Sequence, residues 1–270
     1  MNARVHRAEK EGFHLLNVTP AKNGPWTFKL IRTLVAVFSP KMEVVGAENL
    51  PDEPVILVGN HAQMYGPIAC ELYLPDNVYT WCAGQMMELK EVPAYAFEDF
   101  WSQKPRCIRW FYRGLSYLIA PLSVLVFNSA RTIAVHRDKR ILTTFRQTIA
   151  ALQDGRSVVI FPEHNVPFNH IIHEFQDRFI DLAKLYHRRT GKELSFVPLY
   201  IAPDLSKMCL GEPICFHAGE DMEQERTRIC ARLMDAVTEL AQNLPRHRVV
   251  PYPNIPKRDY PVSVPGEVEV

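Results

Sequence analysis

The chain has 270 residues, of which 47% are hydrophobic and 23% are charged, so it is long enough to bury the core of one large domain. Its formal net charge of +1 argues against a dedicated nucleic-acid-binding protein, because such proteins carry a marked basic excess. The six cysteines include no CxxC pair. This usage favours reduced core residues in a cytoplasmic protein over a disulfide framework or a zinc site.

The first part of the chain, residues 1–24, is a polar lead-in whose charges and lack of a long apolar run predict that it is not a signal peptide. Residues 26–38 are apolar with Lys29 and Arg32 on one side, which predicts an amphipathic helix. The elements expected next are, in order, a short strand and turn (44–51), a strand (55–58) and a helix (67–74).

The middle of the chain, residues 81–130, is rich in aromatic residues and methionine and is predicted to be mostly helical, with a helical insertion at about 86–122. Its uncharged stretch 114–130 is interrupted by Pro121 and is marginal for a membrane span, which needs about 20 apolar residues. Residues 101–113 interleave aromatic and basic side chains, as in an interfacial membrane element or in an amphipathic core helix with a solvated basic face. We expect peripheral and not integral association with a membrane.

The second half of the chain alternates strands with helices. The elements predicted there are a strand (132–135), a helix (141–153), a strand (157–161), a helix (175–188), two strands (196–201 and 207–216) and a helix (220–244). This alternation predicts an α/β fold, a single domain over residues 25–245 with a mixed central sheet flanked by helices. The proline-rich tail, residues 246–270, is expected to wrap the surface because its prolines exclude a helix or a central strand.

The most informative block is residues 54–67, PVILVGNHAQMYGP. Its four consecutive apolar residues predict a buried strand, after which the chain breaks at Gly59 and presents Asn60 and His61. A histidine at the carboxyl end of a strand lies where α/β folds place their ligands. Considered alone, such a histidine is more often structural than functional.

Four further blocks follow the His61 block in a fixed order: TIAVHR (132–137), GRSVVIFPE (155–163), FVPLY (196–200) and LGEPI (210–214). With this ordered set, from about residue 26 to residue 244, the chain resembles the glycerolipid and lysophospholipid acyltransferase family, which includes the 1-acylglycerol-3-phosphate acyltransferases. The resemblance implies an O-acyltransferase that moves a fatty acyl group from acyl-CoA or acyl-carrier protein to a hydroxyl of a lysophospholipid or a glycerol-phosphate-type acceptor. It also implies that the enzyme acts at the cytoplasmic face of a membrane, with the acyl thioester as co-substrate and no separate cofactor.

The resemblance also assigns roles to individual residues. His61 corresponds to the catalytic base, Arg137 to the arginine that binds the acceptor's phosphate, and Glu163 to a carboxylate lining the acceptor site. The residues assigned to substrate binding are Asn60, Arg137, Phe161, Pro162, Glu163 and Leu199. A neutral imidazole can contribute roughly 10²–10⁴-fold as a general base, and an arginine can hold a phosphate with two parallel hydrogen bonds. Backbone N–H groups near a helix start, such as that of Gly66, are expected to stabilise the thioester oxyanion.

The chain departs from the family pattern at two places. The family has an Asp five residues after the histidine, where this chain has Gly66, and it has Gly-Thr after FPE, where this chain has His164-Asn165. Loss of the acidic partner of a catalytic histidine can cost up to about 10⁴ in rate. The carboxylates that could replace it are Glu71, Asp76, Glu88 and Asp138.

Two alternatives to an active acyltransferase therefore stay open. One is a catalytically impaired lipid-binding protein on the same fold, and a weaker one is a hydrolase in which water accepts the acyl group. Separately, His164, His170, His173 and Glu174 are considered as metal ligands, since His170 and His173 would share a helix face if that segment were helical. The order HIIHE is not a known zinc-helix signature, so no metal is expected.

Overall fold

A computed structural model describes residues 24–39, 41–102, 104–136 and 138–263. Of the features predicted from the sequence, Arg137, the lead-in up to residue 23 and the tail beyond residue 263 lie outside the described residues. The α-helices within the described ranges are α1 (Gly24–Phe38), α2 (Tyr65–Tyr73), α3 (Val92–Ala96), α4 (Arg109–Ser129), α5 (Ile141–Gln153), α6 (Asp181–Thr190) and α7 (Met222–Gln242). The strands there are β1 (Glu43–Val45), β2 (Ile56–Gly59), β3 (Val78–Ala83), β4 (Thr132–Val135), β5 (Ser157–Ile160), β6 (Glu163–Phe168), β7 (His173–Phe175), β8 (Ser195–Ala202), β9 (Lys207–Leu210) and β10 (Ile214–Cys215).

The strands form one large mixed sheet and one small hairpin. The large sheet has the order β1-β9-β8-β2-β5-β3-β4, with β10 paired to β8. Its centre, from β8 to β4, is parallel, while β9 and β10 run antiparallel to β8. The hairpin joins β6 to β7. The α/β fold with a mixed central sheet flanked by helices is confirmed.

Each face of the large sheet is covered by its own hydrophobic core. In β2, Ile56 and Val58 belong to one core, and Leu57 belongs to the other, as the alternation of side chains along a strand requires. Helices α5, α6 and α7 cover the first face, and α2 covers the second. Because all four residues of β2 are buried, the strand that carries His61 at its end is fixed on both sides.

Two predicted elements differ from the structure, one because a hairpin takes up its first residues and the other because a proline interrupts it. The predicted helix 175–188 begins only at Asp181, since β7 pairs with β6 immediately before it. The predicted strand 207–216 is divided into β9 and β10. Pro213 lies between these two strands and has no N–H to donate to a ladder.

A third difference is a strand that the sequence analysis missed. Residues 78–80 had no assigned element, and residues 81–83 fell in the stretch predicted to be mostly helical, yet together they form β3. Strand β3 lies between β5 and β4. Its sequence, VYTWCA, is rich in the β-branched and aromatic residues that favour strands.

The insertion contributes the long helix α4, which packs by a face of small residues. Ser116, Ala120 and Ser123 are buried, and α4 packs against α3 and against α1. The hydroxyl of Ser123 donates to the carbonyl of Met86 at 3.0 Å. One side of α4 therefore packs against the domain, and the other side faces outward.

The C-terminal segment folds back over the sheet as a loop whose two ends are joined. We call residues 247–263 the strap. Arg248 and Val262 form an antiparallel bridge, and the backbone N–H of His247 donates to Ser263 Oγ at 3.0 Å. Val249 and Val250 are buried in the two cores, so the strap is anchored from both faces of the sheet.

Candidate functional site

Parallel pairing of two strands places His61 beside Glu163. Val58 of β2 is paired with Ile160 of β5, and each of the two site residues lies three positions further along its chain. The backbone N–H of His61 donates to Glu163 Oε2 at 2.6 Å. The other oxygen, Oε1, accepts the backbone N–H of His173 at 3.1 Å. Glu163 thus joins the ends of β2 and β5 to the β6–β7 hairpin.

Burial governs the protonation of Glu163. Its side chain is 3% exposed, and loss of hydration raises its pKa to about 7 from the usual 4.5, while the N–H donors of His61 and His173 act in the opposite direction. Both oxygens are engaged by the backbone of the protein itself. The carboxylate predicted to line the acceptor site therefore holds the loop that carries His61.

Asn60 is likewise engaged by the protein. It is 2% exposed, its Nδ2 donates to the carbonyl of Ile201 at 2.9 Å, and its Oδ1 accepts the N–H of Ile201 at 2.7 Å. The amide side chain therefore extends the pairing of β2 with β8 by one residue. This use differs from the predicted contact with substrate, since both polar ends of Asn60 already have partners.

The imidazole of His61 lies in an apolar environment. Its Nδ1 is buried and makes no hydrogen bond to any of the described residues, which leaves Nε2 as the nitrogen that can meet a solute. Burial lowers the pKa of His61 to about 4 from 6.5, and the nearby backbone of Gln63 opposes this effect more weakly. The ring is therefore neutral near pH 7, as a general base must be.

Two aromatic rings contact the imidazole by their edges. The centroid of Phe161 lies 5.2 Å from that of His61 with an interplanar angle of 67°. For Tyr252, in the strap, the distance is 5.7 Å and the angle 85°. The sequence analysis missed Tyr252, because the proline-rich tail carries no motif that links it to the His61 block.

The loop after His61 explains why residue 66 is a glycine. Ala62 and Gln63 both adopt positive φ, 45° and 53°, so the chain turns back sharply. The N–H of Gly66 donates to the carbonyl of His61 at 3.2 Å, and a Cβ built on Gly66 would lie 2.3 Å from that same oxygen. The expectation that this N–H serves an oxyanion is corrected, because it is already bonded.

The carboxylates considered as replacements for the missing Asp have other partners. They are bonded to arginines: Glu71 and Asp76 to Arg131, and Glu88 and Asp138 to Arg140. None of the four makes a hydrogen bond to the ring of His61 in the described part of the chain. The ring is therefore oriented by something other than a carboxylate.

The remaining predicted residues fall in different places. Phe161 is partly buried and contacts His61. Pro162, the next residue, is buried. Leu199 is fully buried in β8 and packs in the core with Leu57, so its side chain reaches no surface.

The histidines considered as metal ligands do not share a helix face. His173 lies in β7, and His170 lies before it with a φ of 74°. Across the described residues there is no group of three or more His, Cys, Asp or Glu side chains that could hold a metal ion.

Comparison with known proteins gives a likeness among solved structures. No family model matches the chain, and no curated protein matches it. Among solved structures, the chain is similar to the 1-acyl-sn-glycerophosphate (LPA) acyltransferase, PlsC, from Thermotoga maritima. The TM-score is 0.47 and the identity 16%, and the match covers 79% of each chain.

Glu163 should make the stability depend on pH. The pKa of Glu163 is about 7 in the folded chain, against a usual value of 4.5. Its contribution to the stability of the fold is therefore fully present below pH 4.5 and is lost as the pH rises through 7. We predict that the advantage of wild type over Glu163→Gln in unfolding free energy decreases by about 2–3 kcal/mol from pH 5 to pH 8. Urea denaturation at both pH values measures it.

Comparing wild type with Glu163→Gln separates the pH dependence that Glu163 causes from the one that His61 causes. His61 contributes in the opposite sense, since its lowered pKa costs stability as the pH falls from 6.5 to 4, but it is present in both proteins and cancels in the difference. The matched control is Glu212→Gln at an exposed position, which should change stability by less than about 0.5 kcal/mol. A wild-type advantage over Glu163→Gln that is the same at both pH values would contradict the prediction.

Gly66→Asp should destabilise the protein instead of supplying a partner for His61. Its Cβ would press on the carbonyl oxygen of His61, a backbone atom that cannot move alone, and overpacking of this kind costs about 1–3 kcal/mol. Gly219→Asp is the control, because a Cβ there meets nothing within 4 Å. Thermal denaturation compares the two, and equal stability would show that the loop accommodates the larger residue.

Proposed function

We propose that the protein is an O-acyltransferase that moves an acyl group from a thioester, acyl-CoA or acyl-carrier protein, to a hydroxyl of a lysophospholipid or glycerol-phosphate-type acceptor. The observation that carries the proposal is the direct contact between two separate motif blocks, in which the N–H of His61 donates to Glu163 at 2.6 Å. The blocks are about 100 residues apart in sequence, and parallel strands bring both to the carboxyl edge of the sheet, where such folds bind ligands.

The reaction requires one base and no covalent intermediate on the protein. The acceptor hydroxyl attacks the thioester carbonyl carbon while Nε2 of His61 takes its proton. The C–S bond then breaks, and the thiolate leaves with the proton that the imidazolium returns. His61 is suited to begin this cycle because burial holds its pKa near 4 and keeps it neutral. A base of such low pKa is also weak, so slow turnover is expected.

Two adjacent helices supply a surface for a membrane. Helices α1 and α4 pack together, and each exposes a row of large apolar side chains at helical spacing. The rows are Trp26, Leu30, Leu34, Val37 and Phe38 on α1, and Trp110, Phe111, Tyr117, Leu118, Leu122 and Leu125 on α4. Soluble monomers rarely expose so large an apolar patch. The exposed cations Lys29, Lys104, Arg106 and Arg113 favour an anionic lipid surface.

The packing of α4 favours a helix that lies on the membrane. The segment Arg106–Ser129 is long and apolar enough to span a bilayer, and 17% of its most apolar window is buried. Its inner face, however, is held by α3 and by the carbonyls of Met86 and Met87, which accept from Ser123 and Asn128. Spanning would draw these polar groups into hydrocarbon, whereas lying at the interface leaves them in the protein.

A second candidate is a lipid-binding protein on the same fold that has lost catalysis. The observation that favours it is the loop at Gly66, which leaves no space for the family's Asp and leaves Nδ1 of His61 without a hydrogen bond to the described residues. This candidate binds lipid or acyl thioester without turnover.

We predict that purified protein with anionic vesicles transfers a labelled acyl group from acyl-CoA or acyl-carrier protein to at least one member of a panel of lysolipids and glycerol phosphates. His61→Ala should lower the rate by about 10²–10⁴-fold, because the acceptor proton then has no base. Chromatography of the labelled lipid product measures it, and the control is His187→Ala on α6.

Each outcome of that experiment distinguishes the candidates. Transfer that is as fast in His61→Ala as in wild type would show that His61 is not the base. Binding of the labelled thioester without turnover would support the lipid-binding protein. Consumption of the thioester without an acylated product would indicate a hydrolase.

The surface of α4 can be tested separately. We predict that Leu118→Asp and Leu122→Asp each lower binding to anionic vesicles by at least about 10-fold, because a charge replaces an exposed apolar contact with lipid. Vesicle flotation measures the bound fraction. Leu142→Asp is the matched control, since Leu142 is 62% exposed on α5, comparable with 60% for Leu122. Equal losses in all three variants would contradict the assignment of this face.

A further inference from the structure

The His61 imidazole is confined by aromatic rings that come from distant parts of the chain. Phe161 follows β5 and Tyr252 belongs to the strap. Both contacts are edge contacts with steeply inclined planes, 67° and 85°, an arrangement that aromatic pairs prefer. Nδ1 has no hydrogen bond within the described residues, although the backbone of Gln63 lies near enough to the imidazole to act on its pKa. The two aromatic rings are therefore placed to hold the imidazole by packing.

Tyr252 is tied to the same loop that carries His61. The side chain of Gln63, two residues after His61, donates from Nε2 to the carbonyl of Pro253 at 3.2 Å. Its Oε1 accepts the hydroxyl of Tyr260 at 3.1 Å. One glutamine therefore bonds the strap at two points, one of them next to Tyr252, and fixes the tyrosine ring relative to the imidazole.

The base of the strap is fixed independently of that loop. His247 is buried, with its Nε2 2.8 Å from the hydroxyl of Tyr200 in β8 and its Nδ1 2.9 Å from Ser263 Oγ. Further along, Asn254 Nδ2 donates to the carbonyl of Asp99 in the insertion at 3.2 Å. The strap therefore has fixed points before and after Tyr252.

We propose that Tyr252, together with Phe161, is a positioning residue that holds the His61 imidazole in the rotamer that turns Nε2 toward the acceptor hydroxyl. This role is the one that a carboxylate bonded to Nδ1 would otherwise fill, and the inference rests on the proposed acyl transfer. Turning the imidazole over would require one of the two aromatic rings to move. The role needs the ring of Tyr252 and not its hydroxyl.

The first test uses steady-state kinetics of acyl transfer. Tyr252→Ala should lower kcat by about 2- to 10-fold, the range expected for loss of one aromatic pair, with KM changed by less than about 2-fold since Tyr252 is assigned no substrate contact. Tyr252→Phe should restore wild-type kcat. Ile255→Ala, exposed in the same strap, is the control for general disturbance of the strap.

The second test reads the imidazole directly and needs no turnover. Ring NMR signals of His61, assigned by their absence in His61→Ala, are followed from pH 3 to pH 8 in each variant. In Tyr252→Ala the His61 ring signals should broaden, because the imidazole can then turn between rotamers once one of its two aromatic contacts is removed. The titratable groups around it, Glu163 at its N–H and His173 against Tyr252, are unchanged in all the variants.

The outcomes separate this inference from the proposed function. Wild-type kcat and unchanged His61 signals in Tyr252→Ala would overturn the inference while leaving acyl transfer intact. Faster transfer in Tyr252→Ala would also overturn it, because Tyr252 would then be a cover over the site. Absence of transfer by wild type with every acceptor would overturn the proposed function, and the NMR signals would still decide whether Tyr252 holds the ring.

Discussion

The site depends on one buried carboxylate that accepts two backbone N–H groups. Glu163 joins the backbone at His61 to the backbone at His173, and it does so at the point where two parallel strands end. Without it, two donors would lose their partners, and each unsatisfied buried donor costs about 1–3 kcal/mol. The raised pKa reflects the cost of burying a charge. Glu163 is therefore harder to ionise at the position where it fixes the loop that carries His61.

The departure at Gly66 and the state of His61 have one geometric cause. The chain turns at Ala62 and Gln63 with positive φ, and this turn brings the carbonyl of His61 to where a side chain of residue 66 would begin. With no carboxylate there, the imidazole contacts two aromatic rings, and burial without a counter-charge lowers its pKa. A carboxylate at residue 66 would raise the pKa of His61, because a negative charge stabilises the imidazolium.

Local sequence patterns predicted the elements that depend on local periodicity. Residues 132–135 and 141–153 are a strand and a helix with the bounds expected, and the β2 strand was shifted by one residue. The hairpin of β6 and β7 was missed because its two short strands pair with an irregular register and carry no regular alternation of apolar and polar residues. The sequence located Asn60 and Glu163 but not their use, because their partners include backbone atoms of residues distant in sequence.

The insertion and the strap, which lie outside the ordered motif blocks, are joined two residues away from Tyr252. Trp101 stacks on Tyr112 of α4 with centroids 5.5 Å apart, and two residues before Trp101 the carbonyl of Asp99 accepts the strap's Asn254. The helix proposed to contact lipid is therefore joined, through Trp101 and the backbone of Asp99, to the strap that carries Tyr252. If α4 lies on a membrane, this connection ties the position of the strap, and with it the ring of Tyr252, to that surface. The imidazole would then be oriented by a residue that is itself joined, through the strap and the insertion, to the helix at the lipid surface.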